Sequence, residues 1–268
     1  MADRFKDQVV IVTGGGRGIG RATALEFAAE GATLLLGGRR MDALRTAAEE
    51  CRSAGGRAEA VRCDVAVDEE LQGIVTTALD HYGRVDVLVN NAGVVAGGRL
   101  DEIDADDVGR MVGVNVWAPI RLAQLVVPHM REAKSGTIVN ISSVAGRVGV
   151  PYYATYCASK FAMRGFSESL RRELAPDGVH VMAVFPGGTA TDMLENVEFD
   201  SFGVTIATAQ QVASAIVRGV RWRQPEVFIG LGESIFSRWN DMMPWTVDLG
   251  MGMFRDRFKE AVQHQRTT

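Results

Sequence analysis

Short aliphatic runs recur along the chain, and each is followed by a longer stretch whose apolar positions fall at helical spacing. Val9-Val10-Ile11-Val12 is the first run and ends in glycines. Residues 21–30 follow, rich in Ala, Leu and Glu, which favour helix. Further runs fall at 32–36, 57–63, 85–89, 136–141, 179–185 and 226–229. A helical stretch at 41–54 and other helix-length segments separate them.

Unbroken apolar runs are expected of strands covered on both faces. Strands alternating with helices build a parallel sheet with right-handed crossovers. The pattern predicts an α/β, Rossmann-like doubly wound sheet of about seven parallel strands flanked by helices. No Pro/Ser-rich linker or repeat interrupts it, so residues 1–268 are expected to form a single domain with a core over about 6–230.

From Glu233 the rhythm changes. Trp239, Met242, Met243, Trp245, Met251, Met253, Phe254 and Phe258 are interspersed with Arg and Asp. This predicts a C-terminal helical extension over about 233–268, broken near Pro244 and Gly250. It would pack on the domain or a second subunit, close over a substrate, or rest on a membrane surface, in that order of preference.

Composition narrows the class. Hydrophobic residues make up 47% and charged residues 23%, as in an ordinary globular protein. A net charge of −4 gives no basic field for nucleic acid, so no nucleic-acid partner is expected. Cys51, Cys63 and Cys157 form no CxxC pair and no metal-ligand cluster, so buried thiols and no metal are expected. The charged start offers no secretory segment, and no apolar run reaches the ~18–20 residues of a membrane span. A cytoplasmic protein without a transmembrane segment is the expectation.

The first strand runs into Thr13-Gly14-Gly15-Gly16-Arg17-Gly18-Ile19-Gly20, and a helix starts at once. Glycines allow a tight turn and close approach to a pyrophosphate, and a helix start offers free N–H groups. Asp64-Val65 follow the third strand, and Asn90-Asn91-Ala92-Gly93 follow the fourth. Tyr156 and Lys160, four apart, share one face of a helix. With this TGxxxGxG, NNAG and YxxxK order, the chain resembles the short-chain dehydrogenase/reductase family from about Val9 to Thr191.

That resemblance implies a dinucleotide held by Gly14, Arg17, Gly18, Ile19 and Gly20, by Asp64 and Val65 at the adenine, and by Asn91, Ala92 and Gly93. Pro186, Gly187, Thr189 and Thr191 would orient the nicotinamide. It further implies a catalytic set of Asn115, Ser143, Tyr156 and Lys160, with Ser143 thirteen residues before the tyrosine and Ser142 structural. Hydride from NADPH would reach a carbonyl carbon while Tyr156 protonates the oxygen and Ser143 polarises it. Lys160 would lower the tyrosine pKa and bind the nicotinamide ribose, and Asn115 would hold a water on the proton path.

The cofactor choice rests on charge. An acidic side chain at the end of the second strand would repel a 2′-phosphate. That position is Gly38, followed by Arg39 and Arg40, with Arg17 nearby in the glycine loop. NADP(H) is therefore expected, with Arg39 favoured over Arg40.

The resulting expectation is an NADP(H)-dependent reductase of an apolar small-molecule carbonyl or alcohol, assembled as a homodimer or homotetramer. Val148, Val150, Pro151, Tyr152 and Tyr153, with Met193, Phe199 and Phe202, would wall the substrate or else pack the core. Phe161, Phe166 and Leu170 are spaced for a subunit contact, and no charged residue stands out as an anchor for a carboxylate or a carrier-protein phosphopantetheine. A serine hydrolase would need a G-x-S-x-G elbow, which is absent, and His81, His129, His180 and His264 have no evident triad partners. A non-catalytic dinucleotide-binding regulator stays as an alternative, although Tyr156 and Lys160 are both kept. So does a 3-oxoacyl-carrier-protein reductase, although the long aromatic tail after the last strand departs from that pattern.

Overall fold

The computed structural model describes residues 4–187, 189–190, 207–253 and 258–259. The strands are β1 (Val9–Thr13), β2 (Thr33–Gly38), β3 (Arg57–Arg62), β4 (Val87–Asn90), β5 (Gly136–Ile141) and β6 (Val179–Phe185). A short pair, β7 (Thr189–Ala190) and β8 (Ala207–Thr208), precedes β9 (Glu226–Phe228). Seven of these make one sheet in the order β3-β2-β1-β4-β5-β6-β9, with every neighbouring pair parallel. This is the Rossmann-like sheet that the strand–helix alternation predicts.

The helices are α1 (Gly18–Ala29), α2 (Met41–Ser53), α3 (Asp68–Tyr82), α4 (Ala105–Val112), α5 (Ala118–Glu132), α6 (Ala154–Leu174) and α7 (Ala209–Arg221). Val10, Val12, Leu34, Leu36, Val87 and Val89 meet α1, α2 and α7 on one face of the sheet. Val9, Ile11, Leu35, Leu88 and Ile138 meet α3, α5 and α6 on the other. Covering both faces is why these strands read as unbroken apolar runs. The edge strand β3 alternates charged and apolar residues and is the most exposed of the main strands.

Three details depart from the sequence expectations. Phe166 and Leu170, spaced for a subunit contact, are partly buried against the chain's own core, and Phe161 is exposed. A five-residue π-helix, Gly113–Trp117, joins α4 to α5. The continuous helix Ala105–Glu132 is long and apolar enough, by length and composition, to cross a membrane. Here one side of it, Ala118, Leu122, Val126 and Met130, is buried in the core.

The tail forms α8 (Leu231–Met242) and α9 (Pro244–Met253). The break at Pro244 matches expectation, whereas Gly250 lies inside α9. A helix glycine costs only about 1 kcal/mol and does not bar continuation. Arg147 anchors α8: its guanidinium pairs with Glu226, lies 3.6 Å from Asp241, and stacks 4.8 Å from the Phe185 ring centroid. Arg164 reaches Asp241 from α6 at 3.5 Å.

A buried polar chain ties the sheet to α6. Asn90 Nδ2 donates to Asn140 Oδ1 at 2.8 Å, Asn140 Nδ2 donates to Ser167 Oγ at 2.9 Å, and Ser167 donates on to the Met163 carbonyl. All three side chains are nearly inaccessible to water, so deleting the middle one leaves Ser167 Oγ without its donor and Asn90 Nδ2 with only a 3.4 Å bond to the Pro119 carbonyl. Asn140→Ala is expected to cost roughly 2–3 kcal/mol in urea unfolding. A loss below about 0.5 kcal/mol would show that the chain bears no load.

Candidate active site

The first βα turn is built around Thr13. Its hydroxyl donates to the Val89 carbonyl and accepts from the Asn91 and Ala92 N–H groups, each at 3.0 Å. Asn91 Nδ2 returns to the Thr13 and Gly14 carbonyls. Gly14 has a φ of +65°, and a Cβ there would stand 2.9 Å from Asn91 Nδ2. The turn and the segment after β4 are thus clamped together at the point where strand order reverses on either side of β1. α1 starts at Gly18 with no side chain capping its first turn.

A cavity of about 1320 Å³ lies along the carboxyl ends of the strands. Gly14, Arg17, Gly18 and Ile19 line it, with Arg39, Arg40, Asp64 and Val65 towards one end. Asn91, Ala92, Gly93, Ser143, Tyr156 and Lys160 line it further along, followed by Pro186 and Gly187. Two expected residues stand behind the wall. Gly20 backs the turn, where a Cβ would meet the Gly14 carbonyl oxygen at 2.4 Å. Asn115 is almost fully buried behind Gly93. Thr189 lies in β7, and Thr191, Met193, Phe199 and Phe202 fall outside the described residues.

These features fit a dinucleotide. The glycine turn leaves backbone bare at the cavity, and the uncapped helix start offers N–H groups and a partial positive charge to a phosphate. Arg17, Arg39 and Arg40 add cations to the same wall.

Ser143, Tyr156 and Lys160 all line this cavity, as the family resemblance implies. Ser143 follows β5, sets its hydroxyl beside the Tyr156 phenol, and donates to the Pro186 carbonyl at 3.4 Å. Lys160 is 6% exposed, and its Nζ donates to the Ile141 carbonyl at 3.0 Å. Ser142 donates to the Lys160 carbonyl at 2.8 Å, the structural role expected of it.

The electrostatics differ from the expectation. Burial pushes the Tyr156 phenol up to about 12, against the opposing pull of the Ser143 hydrogen bond. Burial likewise pushes Lys160 down to about 8. Its Nζ lies 5.8 Å from the tyrosine ring centroid and is committed to a carbonyl. Desolvation is the largest influence on both groups, favouring the neutral phenol and a less basic lysine.

Asn115 sits in the π-helix, where the extra residue in the turn alters which side chains face inward. Its Nδ2 donates to the Val94 carbonyl and to Ser159 Oγ, and its Oδ1 accepts from the Val94 N–H at 2.9 Å. One Oδ1 lone pair is left for a further donor. Asn115 therefore braces the segment after β4.

The tail completes the cavity. Glu233, Phe236, Trp239, Val247, Met251 and Phe258 line it opposite Val148, Val150 and Tyr153. Pro151 and Tyr152, expected on this wall, are not among its lining residues. Sequence reasoning missed Thr13, Ser159 and Glu233 as site residues. Thr13 alone had a signal, its place at the head of the glycine turn. The cysteines are free and buried, and burial raises Cys63 to about 12.

Comparison with known proteins agrees with this fold. The sequence profile of the short chain dehydrogenases matches residues 8–201. An 11-beta-hydroxysteroid dehydrogenase-like protein 4A of Arabidopsis thaliana is 38% identical over 82% of this chain and 75% of its own. A 3-oxoacyl-[acyl-carrier-protein] reductase of Synechocystis sp. is 36% identical over 92% of this chain and 98% of its own. A metagenomic short-chain oxidoreductase in complex with NADP superposes with a TM-score of 0.72 at 34% identity, covering 84% of this chain and 97% of that one. A Burkholderia phymatum short chain dehydrogenase/reductase in complex with NAD gives 0.81 at 28% identity, covering 89% and 94%.

Proposed function

This chain belongs to the short-chain dehydrogenase/reductase family of oxidoreductases, and from that premise we propose that it is an NADP(H)-dependent reductase of an apolar carbonyl compound. The observation that carries the reading is that Ser143, Tyr156 and Lys160 line one cavity together with the glycine turn. When bound, NADPH supplies the hydride. Gly14, Gly18 and Ile19, with Asp64, Val65, Asn91, Ala92 and Gly93, hold the dinucleotide, and Gly20 keeps the turn in shape. Pro186, Gly187, Thr189 and Thr191 orient the nicotinamide end.

Ser143 donates to the carbonyl oxygen of the substrate, and Tyr156 gives that oxygen a proton as charge develops on it. A phenol held near 12 stays protonated at neutral pH, which is the form that reduction needs. The Lys160 ammonium then stabilises the phenolate left behind, and Asn115 keeps the backbone in register with it. The arginine-lined end supports NADP(H). Arg39 and Arg40 flank the end of β2 where a carboxylate would oppose a 2′-phosphate, and Arg17 faces the same space. The apolar far wall supports a hydrophobic substrate.

A second reading, reduction of a 3-oxoacyl thioester, is favoured by one observation. Similarity to the Synechocystis reductase covers 92% of this chain, and the aromatic tail weighs against that reading less than the sequence suggested. Exposed Val112, Trp117 and Phe161 support the expected homodimer or homotetramer.

The test is NADPH oxidation against a panel of ketones, aldehydes, quinones, steroids and an acetoacetyl thioester, with NADH in parallel. NADPH is expected to be preferred by at least about tenfold, and Arg39→Ala to erase most of that preference. Equal rates with NADH would contradict the arginine assignment, and a thioester preference would select the second reading. The pH dependence has a definite sign. With Lys160 near 8, carbonyl reduction should hold steady below that pH and fall as pH rises through it. A kcat/KM for reduction that climbs through pH 8 would contradict the role given to the ammonium.

A further inference from the structure

Two of the described residues lining the cavity carry carboxylates: Asp64 near the arginines, and Glu233 among the tail residues. Glu233 stands on the first turn of α8. Its Oε2 accepts from the Gly230 N–H at 3.3 Å, capping the helix. Its Oε1 lies against the bare α-carbon of Gly187, where a Cβ would sit only 1.9 Å away. Gly187 follows Pro186, whose carbonyl oxygen accepts from the Ser143 hydroxyl and from the Val144 N–H. One Pro-Gly turn therefore separates a carboxylate from the serine–tyrosine pair.

The surroundings make that charge matter. Phe236, Trp239, Val247 and Met251 form an apolar wall beside it, with Phe236 and Trp239 reaching the solvent edge, so an ionic group there has apolar neighbours on its inner side. Glu233 is half-buried, and burial raises its carboxyl against the pull of the Gly230 and Ile229 N–H groups. Each oxygen can accept more than one hydrogen bond, so capping leaves acceptor capacity over.

Resting on the carbonyl-reductase reading, we propose that Glu233 is a specificity-determining residue. It accepts a hydrogen bond from a hydroxyl or ammonium group on an otherwise apolar carbonyl substrate, and it excludes substrates with a carboxylate at that position. The site thus favours neutral or cationic carbonyl compounds over anionic ones. A capping role alone makes no such distinction.

Glu233→Gln separates the two roles, because glutamine also serves in a capping box and keeps the side-chain volume while removing the charge. The probes are one aryl ketone and its hydroxymethyl, aminomethyl and carboxylate derivatives, assayed as kcat/KM. Calorimetric binding to the NADP(H)-loaded protein is measured alongside. Relative to the parent ketone, the substitution is expected to raise preference for the carboxylate at least about tenfold and lower preference for the aminomethyl compound by a similar factor. Ratios unchanged within about twofold, in turnover and in binding, would overturn the proposal and leave Glu233 as a helix cap. If binding discriminates as expected but no ketone is turned over, the reductase reading fails and the Glu233 assignment stands. Loss of folding in Glu233→Ala, with Glu233→Gln folded and its ratios shifted, supports both roles at once.

Discussion

Lys160 imposes the constraint on which the site depends. A lysine that is 6% exposed must find oxygen acceptors, and the Ile141 carbonyl at the end of β5 supplies one at 3.0 Å. Ser142 closes the link in the other direction by donating to the lysine's own carbonyl. These two bonds fix the rotation and depth of α6 against the sheet. The Asn90–Asn140–Ser167 chain repeats the fastening deeper along the same strands. Tyr156, one turn before Lys160, thereby meets Ser143, which is carried by the strand that Lys160 grips.

The same economy of contacts organises the rest of the cavity. Thr13 and Asn91 join the carboxyl ends of β1 and β4, so the glycine turn and the segment after β4 move as one piece. Asn115 and Ser159 extend that piece to α6. On the far side, Arg147 is stacked on Phe185 and paired with Glu226, and it fastens α8 just beyond the serine loop. The wall facing the reacting groups is therefore held by the core, although its residues come from the tail.

Much of this was legible in the sequence because it is local. Apolar runs marked the strands, a spacing of four put Tyr156 and Lys160 on one helix face, and the family resemblance pointed to Ser143. What was not legible depends on residues far apart in the chain. Ser159 acquires its role only by meeting Asn115, and Glu233 only by meeting Gly187. The π-helix at Gly113–Trp117 leaves no mark in composition. The weight of burial at the tyrosine was not legible for a similar reason. Spacing places a lysine near a phenol, but the desolvation of both groups is a property of the packed site.

The central claim is that Tyr156 transfers a proton to a carbonyl oxygen while the dinucleotide is held elsewhere. Tyr156→Phe removes that proton donor and little else, so the decisive measurement pairs single-turnover carbonyl reduction with NADPH affinity in the variant. Reduction is expected to fall by at least about a hundredfold, the usual contribution of a positioned acid, with NADPH affinity within about threefold of the unaltered protein. Reduction retained within about fivefold, with the dinucleotide still bound, would contradict the account.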